Sequence, residues 1–164
     1  MSDATTRHPL VAEIEGSLAV EGATDVNLHA VLDKTLAHFG GAVGTIHSLL
    51  SDSKTLTLRA HRGIPPALLA RVSSIPIGKG MAGLAAQRCQ PVQVCNLQTD
   101  TSGVAKPEAK ETKMEGSIAV PILTQNALRG VLGIAKPVAH EFTEAETALL
   151  LDIGAALGRF LARP

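Results

Sequence analysis

Tyrosine and tryptophan are absent from this chain, and Phe39, Phe142 and Phe160 are its only aromatic side chains of the Phe, Tyr, Trp class. Stacking platforms for nucleic-acid bases cannot be built from such a set, and the flat aromatic walls often used by a purine or a tetrapyrrole are equally out of reach. An excess of one charge is missing too: 15 basic and 15 acidic residues leave a formal net charge of +0. With no run of like charge to follow a phosphate backbone, nucleic-acid binding is disfavoured. No apolar run is long enough to span a bilayer. Met1 to His8 lacks the basic start and apolar stretch of a signal peptide, so a cytoplasmic location with no membrane partner is expected. Cysteine is scarce, and Cys89 and Cys95 read as reduced thiols.

What is present is a compact composition. Hydrophobic residues form 45% of the 164 and charged ones 18%, without long polar tracts, which fits one globular domain with its own core. Leu10, Val11, Ile14 and Leu18 recur at helical spacing between Pro9 and about Val20, predicting an amphipathic first helix within residues 1–24. A second helix is expected from Asp25 to Phe39, stopped by Gly40 and Gly41. Two β-like runs, Ala42 to Leu50 and Leu56 to His61, flank a turn at Ser51 to Lys54. Pro65 to Val72 reads as a short helix, Ile75 to Ile77 as an extended bridge, Met81 to Arg88 as a small-residue helix, and Pro91 to Leu97 as a third strand. The polar stretch Gln98 to Glu115 predicts a long loop with one helical turn, a length usually reserved for functional or mobile segments. Strands follow at Gly116 to Thr124 and Gly130 to Pro137, joined by a polar turn around Gln125 and Asn126. A last helix, Thr143 to Ala162, opens with a Thr143–Glu146 capping box.

Successive side chains of a strand point to opposite faces. Ile118, Val120 and Ile122 therefore share one face, as do Leu132 and Ile134, while Ser117, Ala119, Pro121, Gly133 and Ala135 lie on the other. Bulky aliphatics suit packing against amphipathic helices. A nearly bare face either receives a close-packed helix or leaves a cavity for a ligand.

Four segments, in this order and spacing, resemble the GAF family of sensor domains: Ala60-His61-Arg62-Gly63; Ile77-Gly78-Lys79-Gly80-Met81-Ala82-Gly83-Leu84-Ala85; Gly116-Ser117-Ile118-Ala119-Val120-Pro121-Ile122; and Gly130-Val131-Leu132-Gly133 followed by Phe142-Thr143-Glu144. The resemblance covers about Asp25 to Leu161. It implies an α+β fold over residues 25–164: a central antiparallel sheet, the N- and C-terminal helices on one face, and a ligand pocket on the other. The expected ligand-binding set is Ile46, Ser48, Met81, Ala82, Ala86, Cys95, Lys113, Ser117, Ala119, Gly133 and Ala135.

The glycines of Gly78 to Ala86 stand at a helix mouth, where backbone amides can hold an anion; a tight turn with close packing is the better explanation of them. Lys79 and Lys113 would add charge if turned inward. His47 shares parity with Thr45 and Leu49, opposite Ile46, and has no second ligand at metal spacing, so a structural role is expected and no metal or other cofactor. His61 and His140 are expected to be exposed.

Within the family, the free methionine-R-sulfoxide reductases carry a cysteine in the glycine-helix segment, where this chain has Ala82. They place the catalytic cysteine in the long loop, which here has none between Gln98 and Glu115, and acidic residues where Ser117, Gly133 and Ala135 stand. An enzyme is therefore not expected. The Asn-Lys-x-Phe type motif of cyclic-nucleotide binders is missing, as are the neighbours of a bilin-bearing cysteine. The resemblance then implies a bacterial sensor that binds a small molecule or anion and signals through a partner protein. Nitrate or another small anion, sensed for a two-component system, and a thiol-based reductase are the alternatives. A final helix apolar beyond one face predicts a homodimer.

Overall fold

The computed structural model describes residues 7–50 and 53–163. The expected turn at Ser51–Lys54 and the polar start at Met1 fall partly outside that range. Among the described residues, six helices and six strands follow in chain order: α1 (Pro9–Leu18), α2 (Asp25–Phe39), β1 (Val43–Leu49), β2 (Thr55–Arg62), α3 (Pro66–Val72), β3 (Ser74–Pro76), α4 (Gly80–Arg88), β4 (Val92–Val94), α5 (Glu108–Glu111), β5 (Ser117–Thr124), β6 (Ala127–Ala135) and α6 (Glu144–Leu161). The strands form one antiparallel sheet in the order β3-β2-β1-β6-β5-β4.

Local chemistry starts and stops these elements. His8 caps α1, its Nδ1 accepting from Leu10 N at 3.1 Å. Thr24 and Asn27 make a capping box at the start of α2, and Gly40 ends that helix in the left-handed conformation. The expected Thr143–Glu146 box opens α6, with Thr143 N donating to Glu146 Oε1 at 3.0 Å and Glu146 N to Thr143 Oγ1 at 3.1 Å. His140 also reaches that carboxylate, at 2.9 Å, so it is half-buried instead of exposed as the sequence suggested. Gln125 and Asn126 both take positive φ, 50° and 64°, the geometry that closes a two-residue hairpin without splaying its strands. The hairpin therefore begins its second strand at Ala127, three residues earlier than expected.

Backbone pairing places side chains in rows across three strands. Ile46 lies beside Leu132 and Val120, and Thr45 beside Gly133 and Ala119. The first row faces α1, α2 and α6, and its side chains join Ile14, Leu28, Leu32, Ile153 and Leu157 in the larger core. A smaller core on the opposite face joins Leu56, Ala85, Ala86, Val92, Ala119 and Val131. The second apolar face of α6 is covered by α1 of the same chain, which removes the reason that this helix offered for self-association.

The third strand is shorter than Pro91–Leu97. Only Val92 to Val94 pair with β5; beyond them Cys95 O accepts from His140 N and Leu97 N donates to Glu115 O, and the chain leaves the sheet edge.

Gly130 is the tightest point of the central pair. A Cβ there would collide with the His47 carbonyl and stand 3.2 Å from Ser48 Cα, backbone that cannot move aside. A Cβ on Gly16, inside α1, would meet nothing within 4 Å among the described residues. Gly130→Ala is expected to cost about 2–4 kcal/mol in urea denaturation, and Gly16→Ala to add about 0.5–1 kcal/mol. Equal effects at the two sites would refute the assigned register.

Candidate ligand cavity

The bare face opens into a cavity of about 410 Å³, within the range of about 300–1,000 Å³ usual for small-molecule sites. Its floor is made by Thr45, Ser117, Ala119, Gly133 and Ala135. Space survives here because none of these side chains is large; a Cβ on Gly133 would already approach Thr45 Oγ1 to 3.1 Å. Leu68 and Val72 of α3, with Ile75 behind them, form one wall. The first turn of α4 supplies another through Gly80, Met81 and Ala82. The loop from Leu97 to Thr112 covers the remaining side with Ala105, Ala109 and the charged residues Lys106 and Glu108.

The glycine segment owes its composition first to packing. A Cβ on Gly83 would come within 2.5 Å of Pro76 O, and Gly78 N donates to Gly83 O at 2.8 Å, so α4 lies directly against the bridge that precedes it. Among the described residues no side chain caps α4, which leaves the amides of its first turn at the cavity wall. Lys79, Lys106 and Arg71 are all exposed and stand around this opening. Arg71 also bonds Glu111 of α5 at 3.1 Å, tying α3 to the loop across the mouth.

Six of the eleven expected residues line the cavity: Met81, Ala82, Ser117, Ala119, Gly133 and Ala135. The other five do not. Ile46 and Ser48 fall on the helix face, as their pairing with Leu132 and Gly130 requires. Ala86 is buried where α4 meets the sheet, Cys95 is exposed beyond the end of β4, and Lys113 is exposed with φ 63° at the end of the loop. Sequence reasoning missed the α3 wall, Thr45 and Glu108. Thr45 carried a legible signal, since it shares parity with His47, opposite Ile46. Nothing in the local sequence of α3 shows that it folds back over the bare face.

His47 explains how α3 is held there. It is 1% exposed, and its Nε2 lies 2.7 Å from Val72 O. A carbonyl can only accept, so Nε2 carries the proton and, in the neutral ring, Nδ1 does not; Nδ1 is buried without a partner among the described residues. Burial holds the His47 pKa below its ordinary value, and the bond to Val72 opposes this only in part.

A family model described as the GAF domain matches residues 25–162. No curated protein matches the chain in sequence. Solved structures are similar in fold. The GAF domain of a phosphoenolpyruvate-protein phosphotransferase from Coxiella burnetii is 20% identical, with 98% of this chain and 95% of that one covered at a TM-score of 0.80. A GAF domain from A. aeolicus in an inactive state is 24% identical, covering 92% of each chain at 0.72. The free methionine-R-sulfoxide reductase of Neisseria meningitidis, solved with its substrate, is 20% identical, covering 93% and 86% at 0.74. The fold is that of a GAF domain, and the chain belongs to the GAF domain family.

Because neutral His47 is favoured in the folded state, unfolding takes up a proton once the pH falls below the ordinary histidine value of about 6.5. Its contribution to stability is thus present above that pH and lost as the pH falls. His47→Gln keeps a donor toward Val72 without titrating, and should flatten the loss of urea midpoint between about pH 7 and 5. An unchanged slope would show that His47 does not titrate on unfolding.

Proposed function

We propose that this GAF domain is a cytoplasmic sensory module that binds a small, largely apolar molecule with a polar or anionic end, and passes its occupancy to a signalling partner. The observation that carries the reading is the floor of the cavity. Three neighbouring strands all place small residues on one face, where aliphatic side chains would have filled the space. The uncapped amides of α4, with Lys79 and Lys106 at the rim, suit the anionic end of a ligand. Nitrate alone would leave most of an apolar volume of about 410 Å³ unfilled, so a larger organic molecule is the better match.

Binding without turnover is part of the proposal. Cys89 caps the end of α4 and Cys95 lies past β4; both are exposed, and neither lines the cavity. Ligand binding shifts a conformational equilibrium only if it favours one state, and the loop from Leu97 to Thr112 is the wall with most to gain from a ligand. Output would leave through the helical side, where Val20 and Val26 are 54% and 76% exposed beside the α1–α2 turn. A homodimer formed there should scatter light at twice the chain mass, and a monomer at micromolar concentration would remove that part.

A thermal-shift screen against metabolites and anions tests the binding reading. At a hundredfold excess over Kd a ligand adds about 2.7 kcal/mol, which for this chain length raises Tm by about 5–10 °C. Ala82→Phe fills the cavity from α4 and should abolish the shift while leaving the unliganded Tm within a few degrees. A flat screen with the wild-type protein, or a shift that survives in Ala82→Phe, would sink the reading.

A further inference from the structure

The α3 wall is the least secured side of the cavity. Leu68 alone among the residues of α3 is buried, and β3, which follows it, is a three-residue edge strand that pairs only with β2 among the described residues. Two facing residues of the sheet hold the point where α3 ends. His47 and Leu58 lie opposite each other in the β1–β2 register; the His47 ring donates from Nε2 to Val72 O at 2.7 Å, and Leu58 N donates to Ser73 O at 2.9 Å. The second tie is backbone to backbone and indifferent to pH. The first depends on a ring shut off from solvent, whose Nδ1 has no partner among the described residues. A proton added there would make a buried cation with no acceptor for its new N–H.

No carboxylate stands ready to stabilise that cation. Among the described residues no Asp or Glu oxygen lies within 4 Å of His47. The charged groups on the elements around it are basic and for the most part turned elsewhere. On β2, Arg59 bonds Asp25 and Arg62 bonds Asp33, while His61 stands opposite Thr45. Arg71, the charged residue of α3, bonds Glu111. β6 brings the half-buried Arg129, and α4 brings Arg88, with Lys79 just before it, both exposed; β3 carries no charge. Burial is thus what disfavours the charged ring, and no ionic neighbour offsets it.

We propose that His47 is a positioning residue that clamps the α3 wall to the sheet, and that acid releases this wall and loosens the cavity's hold on a ligand. The second half rests on the cavity being a ligand site. While the wall is closed the ring stays neutral; once the end of α3 lifts, the ring meets water and regains its ordinary pKa of about 6.5. Protons therefore bind the opened state better, so the closed wall is favoured above that pH and gives way as the pH falls below it. The ratio of opened to closed wall rises by up to about tenfold between about pH 7.5 and 5.5. Leu68, Val72 and Ile75 would leave together, and the cavity would lose one apolar side.

Hydrogen exchange of the α3 amides, corrected for the intrinsic pH dependence of exchange, tests the clamp in the ligand-free protein. Wild-type α3 should exchange well ahead of β5, as a local opening requires, and lose protection about fivefold to tenfold between about pH 7.5 and 5.5. His47→Gln should remove this pH dependence, and His38→Gln, at an exposed site on α2, should keep it. Xenon, which has no titratable group, tests the cavity. Its saturable shifts at the Ala82, Ala119 and Ala135 methyls should need at least about twofold more xenon at the lower pH in wild type, and the same amount at both in His47→Gln. Protection in α3 that ignores pH, that changes equally in His47→Gln, or that is lost only together with β5 overturns the inference. Xenon binding that acid leaves unaltered overturns it while the cavity reading stands, and no xenon binding at either pH ends both. Should His47→Gln fail to fold, the wild-type imidazole nitrogen signals decide: they should follow the same pH curve as α3 exchange, and a ring that charges while α3 stays protected contradicts the inference.

Discussion

Everything functional in this domain depends on one alternation of side-chain volume along β5, β6 and β1. Adjacent strands in register carry their side chains on a common face, so the rows containing Ile46, Leu132 and Val120 and those containing Thr45, Gly133 and Ala119 are fixed together by the same backbone pairing. A slip of one residue would send the aliphatics into the cavity and bring the small residues under the helices. The cavity is therefore specified by the same register as the core. Gly130, whose Cβ would collide with the backbone of β1, fixes that register at the pair on which both faces depend.

The two faces are finished by different means. On one, α6 comes close to β5 because Gly154 and Gly158 present no side chain to Pro121, Leu123 and Thr124, and α1 then covers the part of α6 that the sheet leaves. Apolar burial at about 25 cal/mol per Å² accounts for the stability of such a face. The other face has no continuous helical cover. Small packing contacts around α4, one buried hydrogen bond from His47 to the end of α3, and the Arg71–Glu111 link hold its walls. Few buried apolar contacts and polar ties of this kind place a segment at the low end of local stability, where binding elements are usually found.

Much of this was legible in the sequence because short-range rules govern it. Period-two patterning separated Ile118 and Val120 from Ser117 and Ala119, and the Thr143–Glu146 signature placed the start of α6. The Gln125-Asn126 turn was recognised from its polarity, although its positive φ values, which let β6 begin at Ala127, were not. The failures came where distant segments meet. Ile46 and Ser48 face the helices because β1 lies beside β6, and nothing local to β1 says which neighbour it pairs with. Cys95 leaves the strand because, among the described residues, pairing with β5 stops at Val94. The wall formed by α3 and the place of Glu108 in the cavity lining depend on a chain reversal after β2 and on the path of the long loop, neither of which has a repeating pattern to read.

The central claim is that the small-residue face keeps an open cavity that a ligand can enter. Alanine methyl groups report on it directly, since Ala82, Ala119 and Ala135 line the cavity while Ala156 belongs to the core on the helical side. Xenon enters apolar cavities without needing any specific recognition, so the decisive measurement is an NMR titration of alanine-methyl-labelled protein under xenon. Saturable shifts at Ala82, Ala119 and Ala135, with Ala156 unmoved, are the predicted result. No shift at the first three, or shifts centred on Ala156, would contradict it.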